Sequence, residues 1–332
     1  GTPAMMCHNQ LFFAKMFFGN LLLPRRIVRL LSLLFMFALG IKKIWFCQKY
    51  NKLFMLTINC KGKILNLDVP LVMGIVNCTP DSFYRGFLDD SIESKKELIR
   101  QMVTDGATII DVGGQSTRPG SSCITAKEEI KRVLPVIAHI RETHPFTIIS
   151  IDTFQSEVAK EIIGAGAHIV NDISAGNMDD NMIAAVGQLG VPYICMHMQG
   201  TPETMQLQPY YVDILKDVTG FFIEKIYTCQ NAGITDIIID PGFGFGKTIE
   251  HNFWLLKNLK IFEMLDKPIL AGISRKSSIY KTLNISAYES LNGSTVMHTL
   301  ALQNGANILR VHDVKEAMQA IVLFEKYKKT AL

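Results

Sequence analysis

Eight short apolar runs recur along the chain, each separated from the next by a longer stretch of helical character, and this alternation constrains the fold more than any other feature. The runs are 71–77 (LVMGIVN), 107–113 (ATIIDVG), 147–152 (TIISID), 168–174 (HIVNDIS), 192–197 (PYICMH), 236–241 (DIIIDP), 268–274 (PILAGIS) and 306–312 (ANILRVH). Their near-continuous apolar character is what parallel strands need when helices cover their outer side. The intervening stretches read as amphipathic helices; in 126–142, Ile130, Val133, Leu134, Ile137 and Ile140 make one packing stripe. Pro135 falls inside that stretch and is expected to kink the helix or delay its start. Eight such units in residues 55–332 predict an α/β fold, a (β/α)8 TIM barrel of ordinary size. The leader 56–67 (LTINCKGKILNL) predicts a short N-terminal β-hairpin that plugs the bottom of the barrel.

Residues 1–54 read differently, as an N-terminal extension that is not part of the barrel. They hold eight of the 34 basic residues and no Asp or Glu, so residues 55–332 carry 26 basic and 30 acidic groups. A mildly acidic body does not imply a nucleic-acid-binding surface. The apolar run 30–41 (LLSLLFMFALGI) has 12 residues, fewer than the about 20 that span a bilayer. Lys42 and Lys43 stand where a secretory cleavage site would fall. Phe, Leu and Lys/Arg interleaved here also suit a membrane surface, whereas the barrel calls for no membrane. The seven cysteines are scattered, with no CxxC and no Cys/His group at metal-ligand spacing, which fits a reducing cytoplasm.

In barrels of this kind reacting groups collect at the carboxyl ends of strands, and nearly every run here ends in a polar residue. Asn77, Asp111, Asp152, Asn171 with Asp172, His197, Asp240, Ser274 with Arg275 and Lys276, and Arg310 with His312 occupy those places. Taken singly, Asp111 and Asp172 read equally well as buried carboxylates that cap backbone amides, and His197 reads first as a satisfied core histidine. Arg310 and His312 are two residues apart, so their side chains leave the strand on one side. With Lys276 they match the phosphate-holding habit of the seventh and eighth strands of such barrels. The stretch from Gly242 to Thr248 imitates a phosphate-binding loop, but GxxxxGK[ST] needs glycine at 241, where Pro241 stands. It remains a glycine-lined ligand wall.

The segments NCTPDSF (77–83), GGQSTRPG (113–120), SIDT (150–153), NDIS (171–174), MHMQGTP (196–202), DPGFGFGK (240–247), SRK (274–276) and RVHDV (310–314) together resemble the dihydropteroate synthase family over about residues 57–328. The resemblance implies condensation of 6-hydroxymethyl-7,8-dihydropterin diphosphate with 4-aminobenzoate in folate synthesis, releasing pyrophosphate. It implies that Asp240 receives the amide and amino edge of the pterin, with Asp152, Asn171 and Lys276 on the rim and Met196 and Phe245 as apolar walls. The diphosphate would lie on Arg118, Arg310 and His312, with Asn77 and Mg²⁺, and Asp81 would stabilise a pterin cation. Asp81, Lys276, Arg310 and His312 are thus the catalytic expectation. The aminobenzoate pocket would involve Thr79, Pro80, Phe83, Thr117, Pro119, Ser274 and Lys276. The family also implies a cytoplasmic homodimer and a sulfonamide target. Two rival readings stand beside it: a pterin-dependent methyltransferase barrel, which has no use for the SRK and RVH cations, and a silent pterin-binding barrel, which would bind without turnover.

Overall fold

The computed structural model describes residues 56–79, 91–117 and 120–330, and the chain from Leu56 onward forms one compact unit. The expectations for residues 1–54 and for Pro80, Asp81, Phe83, Arg118 and Pro119 lie outside the described residues.

Strands β1 (Thr57–Cys60) and β2 (Lys63–Asn66) pair antiparallel as the expected hairpin. The barrel strands are β3 (Leu71–Asn77), β4 (Ile109–Gly113), β5 (Ile148–Asp152), β6 (Ile169–Asp172), β7 (Tyr193–Met196), β8 (Ile237–Asp240), β9 (Leu270–Ala271) and β10 (Ile308–Val311). They pair in parallel from β3 round to β8, with β10 between β3 and β9. A parallel bridge, Ile239 to Ile269, joins β8 to the β9 side and closes the ring. All eight apolar runs are therefore strands of one TIM barrel.

The helices are α1 (Ile92–Thr104), α2 (Ala126–Thr143), α3 (Ser156–Gly164), α4 (Met182–Leu189), α5 (Ile214–Asn231), α6 (Ile249–Lys257), α7 (Ser277–Leu283), α8 (Leu291–Gln303) and α9 (Val314–Lys329). Pro135 does not delay α2. Thr125 caps the helix by accepting the Glu128 amide, and the helix runs on through the proline. Val133, Val136, Ile137 and Ile140 are buried on its barrel side, and that packing outweighs one missing backbone bond.

Side chains alternate along each strand, which sorts the barrel into shells. Met73, Ile109, Ile148, Ile169, Ile194, Ile238, Leu270 and Ile308, one from every barrel strand, form a single buried layer with Ile58, Cys60, Leu65 and Leu67 of the hairpin segment. Burying one such side chain stabilises by roughly 1.5–3 kcal/mol, so the hairpin does plug the bottom. Neighbouring strand residues such as Val72, Ile110, Ile151 and Val170 point outward into the helix layer.

This parity separates two carboxylates that look alike in sequence. Asp111 lies two residues beyond Ile109 and faces in; Asp172 lies three beyond Ile169 and faces out. Asp172 accepts from Ser174 N–H and Oγ (both 2.8 Å), Gly176 N–H (2.7 Å) and Tyr193 Oη (2.7 Å). It ends β6 by capping the amides that follow, and is structural. Tyr193→Phe removes one donor from this buried carboxylate and is expected to cost roughly 1–3 kcal/mol. Urea unfolding measures it, and an unchanged midpoint would contradict the assignment.

Candidate active site

Above the apolar layer the inward positions turn polar, and they converge on Arg310. Its Nε donates to Asp111 Oδ2 (2.7 Å) and its Nη2 to Asp152 Oδ2 (2.5 Å), tying β10 to β4 and β5 across the interior. Asn171 Nδ2 donates to the same Asp111 oxygen (3.0 Å), while Asp111 Oδ1 is buried without a hydrogen-bond partner. Burial works against the Arg310 charge, yet Asp111 and Asp152 outweigh it and hold the guanidinium even more firmly protonated than an ordinary arginine. Burial raises the Asp152 carboxyl well above the usual carboxylate range; Arg310 opposes that rise and Asp111 adds to it. Two acids thus share one cation, and one acidic oxygen remains unanswered.

Asp240 ends β8 facing inward. Its Oδ1 accepts the Gly242 amide (2.8 Å), and a Cβ on Gly272 would lie 3.7 Å from Oδ2, so the glycine keeps that side open. Burial raises the Asp240 carboxyl, opposed by the Gly242 amide and then by Lys276. The Lys276 ammonium stands 4.1 Å from the centre of the Phe245 ring. Burial and then Arg310 lower its pKa to about 8. Phe245 belongs to a separate apolar cluster with Met196, Phe154, Ile173, Met198 and Met205. An apolar wall therefore meets a carboxylate, with a cation beside it.

The loop after β8 owes its shape to glycine. Gly242, Gly244 and Gly246 all have positive φ, and a Cβ on Gly242 would come within 1.9 Å of the His197 carbonyl oxygen. Lys247 then locks this loop to the one after β7. Its buried ammonium reaches His197 Nδ1 (2.9 Å), His197 O (3.2 Å) and Phe245 O (2.9 Å). Burial lowers the amine to about 7, and burial with the Lys247 charge drives His197 down to about 2. His197 is thus a neutral acceptor in the wall, in line with its reading as a satisfied core histidine.

On the far side of the mouth, Ser274 Oγ accepts the His312 amide (3.2 Å) and lies 3.1 Å from His312 Nδ1. Burial and then Arg310 lower the imidazole to about 3, so it is neutral. Arg275, between Ser274 and Lys276, adopts a left-handed φ of 54° and turns away. It pairs with Asp313 through Nε (2.8 Å) and Nη2 (3.0 Å), which sets its two neighbours toward the mouth.

The structure thus gathers Asp152, Asn171, Met196, Asp240, Phe245, Ser274, Lys276, Arg310 and His312 at one end of the barrel. Asn77 closes β3 as an exposed residue beside Gly113, Thr79 is half-buried just after it, and Thr117 is half-buried in the loop after β4. Asp111 and Lys247 were missed as site residues. The inward parity of Asp111 was a usable signal, whereas nothing local marks Lys247 as the partner of a histidine 50 positions earlier.

Residues 73–312 match the family of pterin binding enzymes. The dihydropteroate synthase of Escherichia coli (strain K12) is 44% identical over 267 residues, covering 80% of this chain and 94% of the relative. Two solved structures superpose closely. The Yersinia pestis dihydropteroate synthase with a sulfonamide drug is 38% identical with a TM-score of 0.80, covering 83% of this chain and 100% of that one. The Xanthomonas albilineans enzyme with 4-aminobenzoic acid is 38% identical with a TM-score of 0.78, covering 84% and 100%. The chain belongs to the pterin binding enzymes, and among them to the dihydropteroate synthases.

The loop after β4 in this family member is stapled from within. Gln115 holds Ser116 O (2.8 Å), Ser122 O (3.0 Å) and the Ile124 amide (2.8 Å). Beneath it, Gly114 leaves room for Glu129 of α2, whose Cγ would be 2.9 Å from a Cβ there. Glu129 Oε2 accepts from Gln155 Nε2 (2.6 Å), Oε1 has no partner, and burial lifts the carboxyl to about 7. The unfolded chain releases this proton near the ordinary value of 4.5 while the folded chain still holds it. Stability from this group is therefore complete below that value and is lost as pH rises toward 7. Glu129→Gln mimics the protonated form and is expected to be more stable than wild type at pH 8 by roughly 1–3 kcal/mol, with the gap closing toward pH 4. Thermal melts across that range that show a pH-independent difference would contradict the assignment.

Proposed function

We propose that the barrel condenses 6-hydroxymethyl-7,8-dihydropterin diphosphate with 4-aminobenzoate, and that the mouth residues divide the work as follows. The observation that carries the reading is the inward Asp240 carboxylate at the same end of the barrel as the Met196/Phe245 cluster, with Lys276, Arg310 and His312 there too. A carboxylate can accept two donors from the amide and amino edge of a pterin at once. Asn171 and Asp152 extend that rim. Phe245 lies along the ring, and Lys276 is both a neighbour of the pterin and a positive charge near the leaving group.

As the arylamine nitrogen bonds to the pterin methylene, the carbon–oxygen bond breaks and its electron pair leaves with the diphosphate. The charge that develops there is met by Arg310 and Lys276, with hydrogen bonding from His312 and from Arg118. The amine's proton passes to solvent. No strong general base is required, because an aniline nitrogen is already nucleophilic. Asp81 would stabilise the pterin cation, and Thr79, Pro80, Phe83, Thr117, Pro119 and Ser274 would line the aminobenzoate pocket. The Xanthomonas relative binds 4-aminobenzoic acid and the Yersinia relative a sulfonamide, which supports the same pocket as a sulfonamide target here.

A magnesium ion fits the donor set. The Asn77 amide, exposed at the end of β3, is a hard neutral ligand, and Mg²⁺ takes few protein ligands when phosphate oxygens and water fill the rest. When bound it would neutralise charge on the departing pyrophosphate. Among the described residues no group of three or more His, Cys, Asp or Glu is placed to hold a metal.

The test follows pyrophosphate release and binding together. Arg310→Ala would leave Asp111 and Asp152 buried and unpaired, at a cost of roughly 3–5 kcal/mol in stability, so His312→Ala is the cleaner variant. It is expected to weaken the pterin diphosphate far more than a pterin without phosphates. Asp240→Asn is expected to weaken both by about tenfold or more, since about 1.4 kcal/mol is one decade. The opposite pattern in calorimetry, or full turnover in either variant, would overturn the assignments.

The reading places the reaction in residues 55–332, in a cytoplasmic homodimer. Exposed Trp254 on α6 and Val296 and Leu300 on α8, helices packed on each other, support a dimer face. Cys60, Cys195 and Cys229 are buried free thiols, which suits a reducing compartment. No described helix is long and apolar enough to cross a membrane. A chain begun at Met55 and taken from a cytoplasmic extract is expected to elute at twice its chain mass and to turn over. A monomer by light scattering, or loss of turnover, would refute this.

A further inference from the structure

At the end of the barrel away from the mouth, a cavity of about 290 Å³ lies between the hairpin and the amino ends of β5 and β6. Five basic side chains line it: Lys61, Lys63, Arg141, His144 and His168; none of the lining residues is acidic. This is unusual placement on a body whose net charge is −4. Like charges held close without a counter-charge repel, so the cluster asks for an anion.

Each cation is tied to a backbone carbonyl at or near the protein surface. Lys61 Nζ donates to Ile163 O (3.1 Å), Lys63 Nζ to Pro145 O (2.7 Å) and Arg141 Nη1 to Ala165 O (2.8 Å), which leaves further donors on each head group. Arg141 lies across Gly166, where a Cβ would come within 2.4 Å of its Cδ. His168 Nδ1 accepts the Ile149 amide (3.1 Å), so the neutral ring carries its proton on Nε2. Burial, and then Lys63, Lys61 and Arg141, hold that ring neutral by lowering it to about 4.

Backbone geometry adds an independent observation. Lys61 and Gly62 form the hairpin turn with φ of 52° and 88°, values of a two-residue turn whose first position favours Asn or Gly. A lysine there is strained, and the strain sets a second ammonium beside Lys63. Capping the carboxyl end of α3 explains one donor each from Lys61 and Arg141, and the chain after α2 takes one from Lys63, but these bonds explain neither the cavity nor the left-handed lysine.

We propose that this cavity binds a multivalent phosphate, at a site separate from the reaction site at the opposite end of the barrel. Several fixed ammonium and guanidinium donors around a small cavity suit a compact, highly charged oxyanion rather than an extended polyanion. Calorimetry on the full chain with inorganic tripolyphosphate tests it, with ATP in parallel to tell a phosphate ester from an inorganic chain. Wild type is expected to bind one equivalent more than Lys61→Asn/Lys63→Gln, or to bind that equivalent at least tenfold more tightly. Lys61→Asn alone is expected to melt at or above the wild-type temperature, because asparagine relieves the turn, while weakening the anion and leaving turnover unchanged. Isotherms that agree within threefold, or a higher melting temperature with no loss of binding, would overturn the proposal by showing Lys61 to serve the turn alone.

Discussion

A guanidinium inside a protein is tolerable only where carboxylates answer it, and in this barrel two of them do so from different strands. Arg310 on β10 reaches Asp111 on β4 and Asp152 on β5, and Asn171 on β6 completes the group. These contacts cross the barrel interior where an ordinary barrel would stack branched aliphatic side chains. The arrangement spends packing energy on charge, and it works because the layer below is wholly apolar and sealed by the hairpin. Burial shifts the titrations of Asp240, Lys276 and His312 first, and the Arg310 charge acts on each of them after it. Removing the arginine would leave carboxylates facing each other, so its positioning role and its electrostatic role cannot be separated by deletion.

The architecture was legible because strands buried on both faces must be almost continuously apolar, and eight such runs survive as eight strands. Site residues were legible to the degree that they end those runs. Parity, read in the sequence only for Arg310 and His312, reaches further. Counting in twos from Ile109, Ile148, Ile169, Ile238 and Ile308 leads inward to Asp111, Asp152, Asn171, Asp240 and Arg310, and leaves Asp172 on the outer side. Pro135 does not delay the start of α2 because helix propensity is a local quantity, whereas Val133, Val136, Ile137 and Ile140 are held by packing on the barrel.

Contacts between loops were illegible. Lys247 meets His197 only because three left-handed glycines bend the loop after β8 against a carbonyl of its neighbour. No periodicity records such an encounter. The same is true of Gln115, whose amide staples atoms on either side of its loop, and of Glu129, which a helical wheel assigns to the packing face without saying what a carboxyl does there.

The hairpin seal also has a direction in time. Thr57–Asn66 leaves the ribosome before any barrel strand, yet the layer it closes includes Leu270 and Ile308, made more than 200 residues later. Until those strands are made, the hairpin has no complete layer to cover with Ile58 and Leu65. Because such distant contacts form slowly, barrel closure and sealing of its floor are one late event: the polar interior becomes dry, and its charges become strong, only when the last strand arrives.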